Sequence, residues 1–473
     1  MILLFLPEII LSGLALILLC LTLAKNEMSE KSLQGLMVPA ALLLVAACIC
    51  SLRQSGDIFF NTYHIDLFSQ GFKTITALAF LLTALLSGEW NKIPKNRLLE
   101  FNLFLVTGAL GMMMITSAVD VLCLFVALEL SAYSLYLLAA LKPNQRNAES
   151  SIKYLIFGAT ASGVALWGLS LVVGLSGTTS IVQILKNSAA LSAEPAFVLG
   201  LTLFSLSLIF KLSGFPMQFW APDVYESAST PAVNFIATAS KAAAVAVLIR
   251  LFSLSGMPTA FPVILGVLAF ISMTLGNSVA LVQTDVKRLL AYSSIAQAGY
   301  ILVGLLSGTA NGFSTAFFYA FAYVLMNSGA FLVLTLVAKS AGHDNPQVSH
   351  FDGLAERSPL LALILLISLL SLAGIPPLLG FTGKWVLFTS AMERGHWFLV
   401  LWAVLNSVVS LFYYLTLVKH AYLKKPKDAG PLTVPISFQI AGYCLVGALL
   451  LAGIYPGYFI TFAEKAISSS LFR

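Results

Sequence analysis

Charged residues are scarce in this sequence. Asp, Glu, Lys and Arg make up only 10% of its 473 residues, whereas hydrophobic residues make up 59% and the mean hydropathy is +0.93. Because a soluble domain carries about 25% charged residues, a chain with so few cannot keep its surface hydrated. The composition therefore excludes a water-soluble protein and predicts that lipid surrounds it. The net charge of +6 does not indicate a nucleic-acid partner, since membrane proteins collect Lys and Arg in cytoplasmic loops.

The sequence also lacks the motifs that bind redox cofactors, metals or nucleotides. Its cysteines form no C-x-x-C pair and lie in apolar runs, so we expect them to pack as small hydrophobic side chains and to bind no iron–sulfur cluster or zinc. No P-loop and no Rossmann glycine motif occurs. We therefore expect no cofactor and no metal in this chain. The cysteines are Cys20, Cys48, Cys50, Cys123 and Cys444.

Long apolar runs fill most of the chain. A membrane-spanning helix needs about 20 mostly apolar residues, and this criterion predicts an all-α polytopic membrane protein of about fourteen transmembrane helices with short connections. The predicted spans are 2–24, 35–53, 67–88, 100–118, 120–141, 153–175, 196–221, 231–253, 261–283, 289–307, 313–338, 358–391, 397–421 and 433–457.

Basic residues concentrate in alternate connections. Because Lys and Arg favour cytoplasmic loops, we expect the basic connections to lie in the cytoplasm and both termini on the outer side, which is the periplasmic side of a bacterial inner membrane. The basic connections carry Lys25, Lys31, Lys92, Lys95, Arg97, Lys142, Arg146, Lys153, Lys287, Arg288, Lys339, Arg357, Lys419, Lys424, Lys425 and Lys427, whereas the other side carries Arg53, Lys186, Arg394, Lys465 and Arg473.

Two predicted spans are too long and carry breaks. The seventh (197–225) contains Pro216, and the twelfth (359–392) contains Gly374, Pro376 and Pro377; proline interrupts a helix. The breaks match at an offset of 160 residues, LSGFP against LAGIP, and lie an odd number of spans apart. They predict two inverted five-helix repeats, helices 4–8 and 9–13, with discontinuous helices 7 and 12; two unrelated proline kinks are the alternative. The predicted domains are 1–99, 100–253, 254–421 and 422–473.

Four charged residues lie within the predicted spans, where charge is costly and usually functional. Glu129 and Lys241 lie near mid-span, Lys211 directly precedes the first break, and Lys384 follows the second. Burial lowers the affinity of a lysine for its proton, and a nearby carboxylate raises it again. Such a set can therefore pass protons, whereas arginine would stay charged. A static Glu129–Lys211 ion pair that joins helices is the alternative.

Polar residues recur on the same helical faces and suggest a hydrophilic path between these charges. Interhelical hydrogen bonds without a transport role are the alternative. The residues of the predicted path are Tyr133, Thr238, Gln297, Tyr300, Asn327 and Asn406.

Two further charged residues, Lys73 and Arg250, lie toward span ends, so we expect their charges to reach the membrane surface.

Several stretches resemble the antiporter-like membrane subunits of respiratory NADH–quinone oxidoreductase (complex I), specifically the subunit N family. The similarity covers essentially the whole chain, and the wider family includes Mrp-type sodium/proton antiporters. The resembling stretches are KLSGFPMQFWAPDVY at 211–225, ATASK at 237–241, KRLLAYSSI at 287–295, LAGIP at 372–376 and GFTGK at 380–384.

The resemblance implies roles for the buried charges. Glu129 and Lys211 would form a control pair, Lys241 a central relay and Lys384 the terminal proton site. Where the resemblance leads us to expect histidines, this chain has Gln218 and Gln297. Glutamine does not titrate, so the lateral link would run through water, tyrosine or hydroxyl groups.

The resemblance further implies a proton-translocating subunit whose partners are other complex I subunits, especially neighbouring antiporter-like ones, and membrane lipid. NADH, FMN, iron–sulfur clusters and quinone are expected in the partner subunits, with no redox chemistry in this chain. The alternatives are an Mrp-type cation/proton antiporter subunit and a membrane scaffold that does not pump. The same lysines would serve an antiporter, so charge alone does not separate these readings.

Overall fold

The computed structural model describes residues 3–24, 28–89, 92–255, 261–426 and 430–470. Within them the chain is mostly helical, as expected of a backbone that must satisfy its own hydrogen bonds in lipid. The α-helices are α1 Leu6–Leu23, α2 Glu30–Ser51, α3 Leu67–Ser87, α4 Leu98–Ser117, α5 Val121–Ala140, α6 Gln145–Ser176, α7 Ile181–Lys186, α8 Ser188–Leu191, α9 Pro195–Leu212, α10 Trp220–Ser227, α11 Thr230–Ser255, α12 Phe261–Ala280, α13 Val286–Leu305, α14 Ala310–Ala341, α15 Leu354–Arg357, α16 Pro359–Ala373, α17 Leu379–Met392, α18 Trp397–Leu423, α19 Ile436–Ile454 and α20 Gly457–Ser469.

Short elements join some of the helices. Strands β1 and β2 form an antiparallel hairpin between α2 and α3, and 3-10 turns precede α4 and α15. These connections are brief, so the described residues form a bundle of helices without a separate domain outside the membrane. The short elements are β1 Gly56–Ile58, β2 Tyr63–Ile65 and the 3-10 turns Lys95–Arg97 and Val348–Phe351.

The predicted transmembrane architecture is confirmed. Twelve helices of the described residues are long and apolar enough to cross a membrane. The other two predicted spans are α13, whose first turn carries Lys287 and Arg288, and the broken pair α16–α17, whose halves are each too short alone. The sequence prediction missed α20, because 13 residues fall below the length of a span.

Both predicted helix breaks are present and end in the same way. α9 ends at a left-handed residue, Ser213 (φ 56°), and α16 ends at Gly374 (φ 90°). At each end the following residue donates its N–H to the carbonyl five residues back at 3.0 Å. This Schellman ending leaves the last carbonyls of each half-helix without a backbone donor. Cis peptide bonds precede Pro216 and Pro377.

The structural equivalence of the breaks differs by one residue from the sequence match. The match placed Gly214 opposite Gly374, an offset of 160, but the left-handed residues are Ser213 and Gly374 (374 − 213 = 161). By conformation, Ser213 corresponds to Gly374. The sequence match paired the two glycines instead, because the left-handed conformation, which glycine adopts more readily, is adopted by a serine at the end of α9.

One close helix crossing recurs at matching positions in the two predicted repeats. A Cβ on Gly111 of α4 would lie 2.6 Å from the backbone N of Ser131 on α5, and a Cβ on Gly276 of α12 would lie 2.6 Å from that of Ala296 on α13. Both pairs are offset by 165 residues (276 − 111 and 296 − 131). The inverted repeats stay a prediction with which this recurrence agrees. The domain limits also stay predictions; they fall within the ends of α4, α11 and α18.

Lys73 and Arg250 do not reach the membrane surface, so that prediction was wrong. Lys73 on α3 and Glu8 on α1 are both 0% exposed, with Nζ 2.6 Å from Oε1. Arg250 on α11 places Nη2 3.0 Å from Oδ1 of Asp66, which precedes α3. Each charge is buried because an acid on a neighbouring element pairs with it and replaces water. These pairs bind α1 to α3, and the start of α3 to α11.

Two helices form the centre of the bundle. Every residue in the most apolar 18-residue window of α11 is buried, and 94% of that of α14, compared with 28% for α1 and for α19. The peripheral helices present apolar side chains outward, where lipid covers them. Lys241 therefore lies on a helix that other protein surrounds on all sides.

Candidate functional site

Lys384 on α17 binds the broken end of α16. Its ammonium donates to the last two carbonyls of that half-helix, Leu372 O at 2.9 Å and Ala373 O at 3.0 Å, and to Ser407 Oγ of α18 at 2.8 Å. The carbonyl end of a helix carries partial negative charge and attracts a cation. A Cβ on Gly374 would lie 3.0 Å from Lys384 Cδ, so this glycine permits the turn and also leaves room for the lysine.

Lys241 lies at the centre of the bundle and is 1% exposed. Its Nζ donates to both O and Oγ of Ser294 on α13, each at 2.9 Å. Ser294 Oγ in turn donates to Tyr225 OH on α10 at 3.3 Å. The ring of Tyr323 faces the ammonium at 5.8 Å, within the range of a cation–π attraction. Neutral oxygens and ring electrons therefore hold this ammonium.

Gln297 connects the Lys241 and Lys384 sites. It lies three residues after Ser294 on α13, so the two side chains share a face of that helix. Its Nε2 donates at 3.1 Å to Leu372 O, the same carbonyl that accepts from Lys384. The hydroxyl of Tyr319 on α14 donates to its Oε1. The glutamine that stands in place of the expected histidine thus occupies a central position between the two lysines.

A network of amides and phenols lies beside Lys384. Asn277 Nδ2 on α12 donates to Tyr300 OH at 3.3 Å and to Asn406 Oδ1 at 3.1 Å, and its Oδ1 accepts from Tyr413 OH at 3.0 Å. The ring of Tyr300 faces Lys384 Nζ at 4.5 Å. Two predicted path residues, Tyr300 and Asn406, therefore lie together at the second break.

Lys211 contacts α5, the helix that carries Glu129, but the two side chains do not form an ion pair. Lys211, in the last turn of α9, donates to Ser131 Oγ at 3.1 Å and to Leu128 O at 3.5 Å, both on α5. Glu129 accepts from Ser162 Oγ of α6 at 2.6 Å. Among the described side chains, no N–O contact of 4.0 Å or less joins Glu129 to Lys211. In this conformation each member of the predicted pair is held by neutral groups.

The remaining predicted path residues differ in their surroundings. Asn327 Nδ2 donates to Tyr323 OH at 3.3 Å, which places it near Lys241. The hydroxyl of Thr238 bonds to the backbone of its own helix. Tyr133 is 51% exposed and packs against Tyr136 at the periphery of the bundle, so it is not brought together with the others. The transfer roles of the whole predicted set stay predictions.

The sequence analysis missed several polar residues of this site. Serines inside apolar helices give a weak signal because they often bond to their own backbone. The amide of Asn277 was detectable, since it is a strongly polar side chain within a predicted span. The missed residues are Tyr225, Asn277, Ser294, Tyr319, Tyr323 and Ser407.

The half-helix α10 is fixed by ion pairs at the side of the bundle that carries the basic connections, which we call the basic side. Glu226 pairs with Arg146 at 2.5 Å and with Arg288 at 2.8 Å, and Asp223 pairs with Lys153 and with Arg288, both at 3.3 Å. Partly exposed pairs contribute little singly but more as a network. These contacts join α10 to α6 and α13.

Lys211 is half-buried at the first break and Lys384 is buried at the second. Broken helices with ammonium groups at the breaks and polar side chains between them define the class: polytopic membrane proteins that move ions past titratable groups inside the bilayer. Residues 118–410 match the family described as "NADH:quinone oxidoreductase/Mrp antiporter, TM". The chain belongs to this family, and its predicted resemblance to the antiporter-like subunits is confirmed.

Relatives and solved structures agree with this assignment. The chain is 43% identical to a protein of Syntrophobacter fumaroxidans named "NADH-quinone oxidoreductase subunit N 2", over 99% of each chain. It is similar to a chain of respiratory complex I from Thermus thermophilus (32% identity, TM-score 0.84, 97% of this chain and 99% of that one). A chain of the Mrp complex from Dietzia has the same fold (TM-score 0.89, 99% and 97% covered) at 18% identity.

Proposed function

We propose that this chain is a proton-translocating membrane subunit of an NADH–quinone oxidoreductase. It couples quinone reduction in the complex to proton transfer through Glu129, Lys211, Lys241 and Lys384. Relatives that bear this name and match along almost the whole chain support the assignment. The likeness to the Mrp chain is one of fold alone, so we do not propose an independent antiporter.

The observation that carries this proposal is how the three lysines are held. Lys211, Lys241 and Lys384 each donate to carbonyl or hydroxyl oxygens, and within the described residues none has a carboxylate oxygen within 4.0 Å. A buried charge without a counter-ion is costly, so small changes in its surroundings decide whether the lysine keeps its proton. This property suits proton transfer and does not suit static ion pairs that join helices.

Proton transfer follows the order of the three sites. Movement of Glu129 relative to Lys211 changes the proton affinity of Lys211, which passes its proton to Lys241. From there the proton crosses α13 by way of Ser294 and Gln297 to Lys384 and leaves on the outer side. The energy comes from redox chemistry in the partner subunits and reaches this chain as a conformational or electrostatic shift.

The setting of the chain follows from this assignment. NADH, FMN, iron–sulfur clusters and quinone belong to partner subunits, and this chain supplies no redox chemistry to the NADH:quinone oxidoreductase (EC 7.1.1 type). Its neighbours are other complex I subunits, including further antiporter-like ones, and lipid. The basic side faces the cytoplasm of a bacterial cell, which places both termini on the periplasmic side of the inner membrane.

The test is a paired assay on the complex reconstituted in liposomes, with quinone reduction and proton uptake measured together. Lys211→Met and Lys241→Met should each lower both rates about tenfold or more, because a direct proton-transfer group is worth roughly 10²–10⁴-fold. Lys241→Arg should fail as well, since arginine keeps its proton. Lys186→Met, on the exposed end of α7, is the control. Wild-type rates in the Lys211 and Lys241 variants would instead establish a scaffold.

A further inference from the structure

Seven polar residues lie in neighbouring segments at the basic side, between the two halves of the bundle. Lys142 pairs with Asp344 at 2.6 Å and accepts at its carbonyl from Asn147, while Val286 donates its N–H to Pro346 O. They come from the connection before α6, from α6 itself, from the start of α11, from the start of α13 and from the loop after α14. None belongs to the proton path described above. This basic-side polar cluster consists of Lys142, Asn147, Ser229, Thr230, Asp285, Lys287 and Asn345.

Two of its members are lysines that bind neighbouring carbonyls at the end of α10. Lys287 is 0% exposed and donates to Ala228 O at 2.9 Å, and Lys142 donates to Ser227 O at 3.1 Å. The carbonyl end of a helix attracts such cations. No other bond of the Lys287 ammonium occurs within the described residues, although an ammonium has three protons to donate.

The cluster also contains buried oxygen atoms without a partner. Asn147 Oδ1, Ser229 Oγ, Thr230 Oγ1, Asp285 Oδ2 and Asn345 Oδ1 are buried, and none has a hydrogen-bond partner within the described part of the chain. Unbonded polar atoms are unfavourable inside a protein, and water is their usual partner where several converge. Unused donors on a lysine and unused acceptors on other residues of the same cluster are what a hydrated site requires.

Burial also acts on the acid of the cluster. It raises the pKa of the Asp285 carboxyl, and the nearby Glu226 carboxylate raises it further, while Lys287 and the backbone N–H groups of the following turn oppose the shift. A carboxyl group with a raised pKa exchanges its proton nearer to neutral pH than an exposed one.

The cluster is continuous with the Lys241 site along α13. Lys287 and Ser294 are seven residues apart, and Gln297 follows three residues later, so all three lie on one face of the helix. Seven residues rise about 10.5 Å, a distance that about three hydrogen-bonded oxygens bridge. Tyr225, which is fully buried, already supplies one of these, because its OH accepts from Ser294 Oγ at 3.3 Å.

On its other side the cluster approaches solvent at Asp344, which forms an ion pair with Lys142. Asp344, in the loop after α14, lies 2.6 Å from Lys142 Nζ and 3.7 Å from Lys92 Nζ, and its side chain is 16% exposed. The pair joins a connection of the first half to a connection of the second. It therefore lies where water and protons would reach the cluster.

We propose that the basic-side polar cluster is a hydrated proton entrance and that Lys287 is the residue that passes protons from it, by way of Tyr225 and Ser294, to Lys241. This inference rests on the proposed function, because it supplies the uptake step for the central lysine. In this proposal the amino group of Lys287 accepts and releases the proton. Lys142 and Asp344 lie where the entrance opens to water.

Lys287→Met and Lys287→Arg, measured in the reconstituted complex, test this role. Methionine removes the proton carrier, whereas arginine keeps a cation for Ala228 O but does not release a proton at accessible pH. Both variants should lower proton uptake about tenfold, less than a direct proton-transfer group is worth, because water remains in the entrance. If arginine restores the wild-type rate, Lys287 only binds the end of α10 and the proposal is overturned. A total loss in Lys241→Met with a wild-type rate in Lys287→Met would overturn this inference alone and leave the proposed function intact.

Cysteine accessibility tests the water separately from the rates. Ser229→Cys should react with a charged, membrane-impermeant methanethiosulfonate reagent added at the cytoplasmic face of the complex, with modification of this chain read by mass spectrometry. Val233→Cys, four residues further along the chain and also buried, is the control and should stay unmodified. An unreactive Ser229→Cys in an active complex would show that no water reaches the cluster and would refute the entrance.

Discussion

Replacement of Gln297 by leucine tests the link between the central and terminal lysines. Leucine has a similar volume but removes the donor to Leu372 O and the acceptor of the Tyr319 hydroxyl. Leu372 O keeps its bond from Lys384, so the main loss is the buried Tyr319 hydroxyl, which is left without a partner. Such a group costs about 1–3 kcal/mol. Because the proton passes through these hydrogen bonds, we expect this cost to raise the barrier to proton transfer, and each 1.36 kcal/mol on that barrier is tenfold in rate. Proton transfer between the lysines should therefore slow by roughly 5- to 150-fold.

Gln297→His provides the comparison. A neutral histidine donates from one ring nitrogen and accepts at the other, so it can replace both bonds of the glutamine. It should keep proton transfer within about threefold of wild type, a difference of less than 1 kcal/mol. The measurement is the ratio of protons taken up to quinone reduced, in liposomes that contain the whole complex.

A glutamine far from the lysines serves as the control. Gln439 on α19 bonds to the backbone at the start of its own helix, so Gln439→Leu is the same chemical change outside the path and should leave the ratio unchanged. If Gln297→Leu pumps as wild type does, the proton does not cross α13 at this residue. The link assigned to Ser294 and Gln297 would then be wrong.

Three further predictions follow from other contacts. Lys73→Met leaves the Glu8 carboxylate buried without its partner, which costs about 3–5 kcal/mol and should lower the melting temperature of the purified complex; the double variant Glu8→Gln/Lys73→Met should recover most of this loss, and equal melting of both variants would contradict a charge effect. Gly374→Ala forces a left-handed alanine at about 1–2 kcal/mol and displaces Lys384, so pumping assays should show a slower rate, and an unchanged rate would mean that this position tolerates a Cβ. Tyr133→Phe should pump within about twofold of wild type, since surface changes seldom exceed 0.5 kcal/mol; a larger loss would return Tyr133 to the path.

Much of the architecture could be predicted from the sequence because lipid restricts the alternatives. Length and hydropathy alone separate spans from connections, and proline with glycine marks a break wherever it falls. The equivalence of the breaks was less accessible, because it depends on which residue is left-handed, and Ser213 holds that conformation against the ordinary preference of serine. The helix α20 was too short to be recognised by a rule based on spanning length.

Charged residues in apolar helices could be recognised from the sequence, but their ion-pair partners could not. Lys241 and Lys384 were identified because they stand out in apolar helices, and that signal is local. Lys73 and Arg250 were misjudged because their acids, Glu8 and Asp66, come from other elements, and nothing local distinguishes a paired charge from one that reaches water. Ser294 was missed for a related reason, since it matters only as the partner of Lys241.

The burial of the apolar window of α11 has a consequence for biosynthesis. The helices enter the bilayer in chain order, and a charged residue costs about 2.5–3.5 kcal/mol at the centre of an inserting segment. Arg250 finds Asp66 already in place, and Asn234 finds Thr83 of α3. Lys241 lacks its hydrogen-bond partner Ser294 at that stage, because Ser294 is synthesised 53 residues later. Until then the earlier helices, α3 and α4 among them, are the only part of the chain that can shield α11 from lipid. The contacts of α3 with α11 therefore serve the assembly of the bundle before the protein can function.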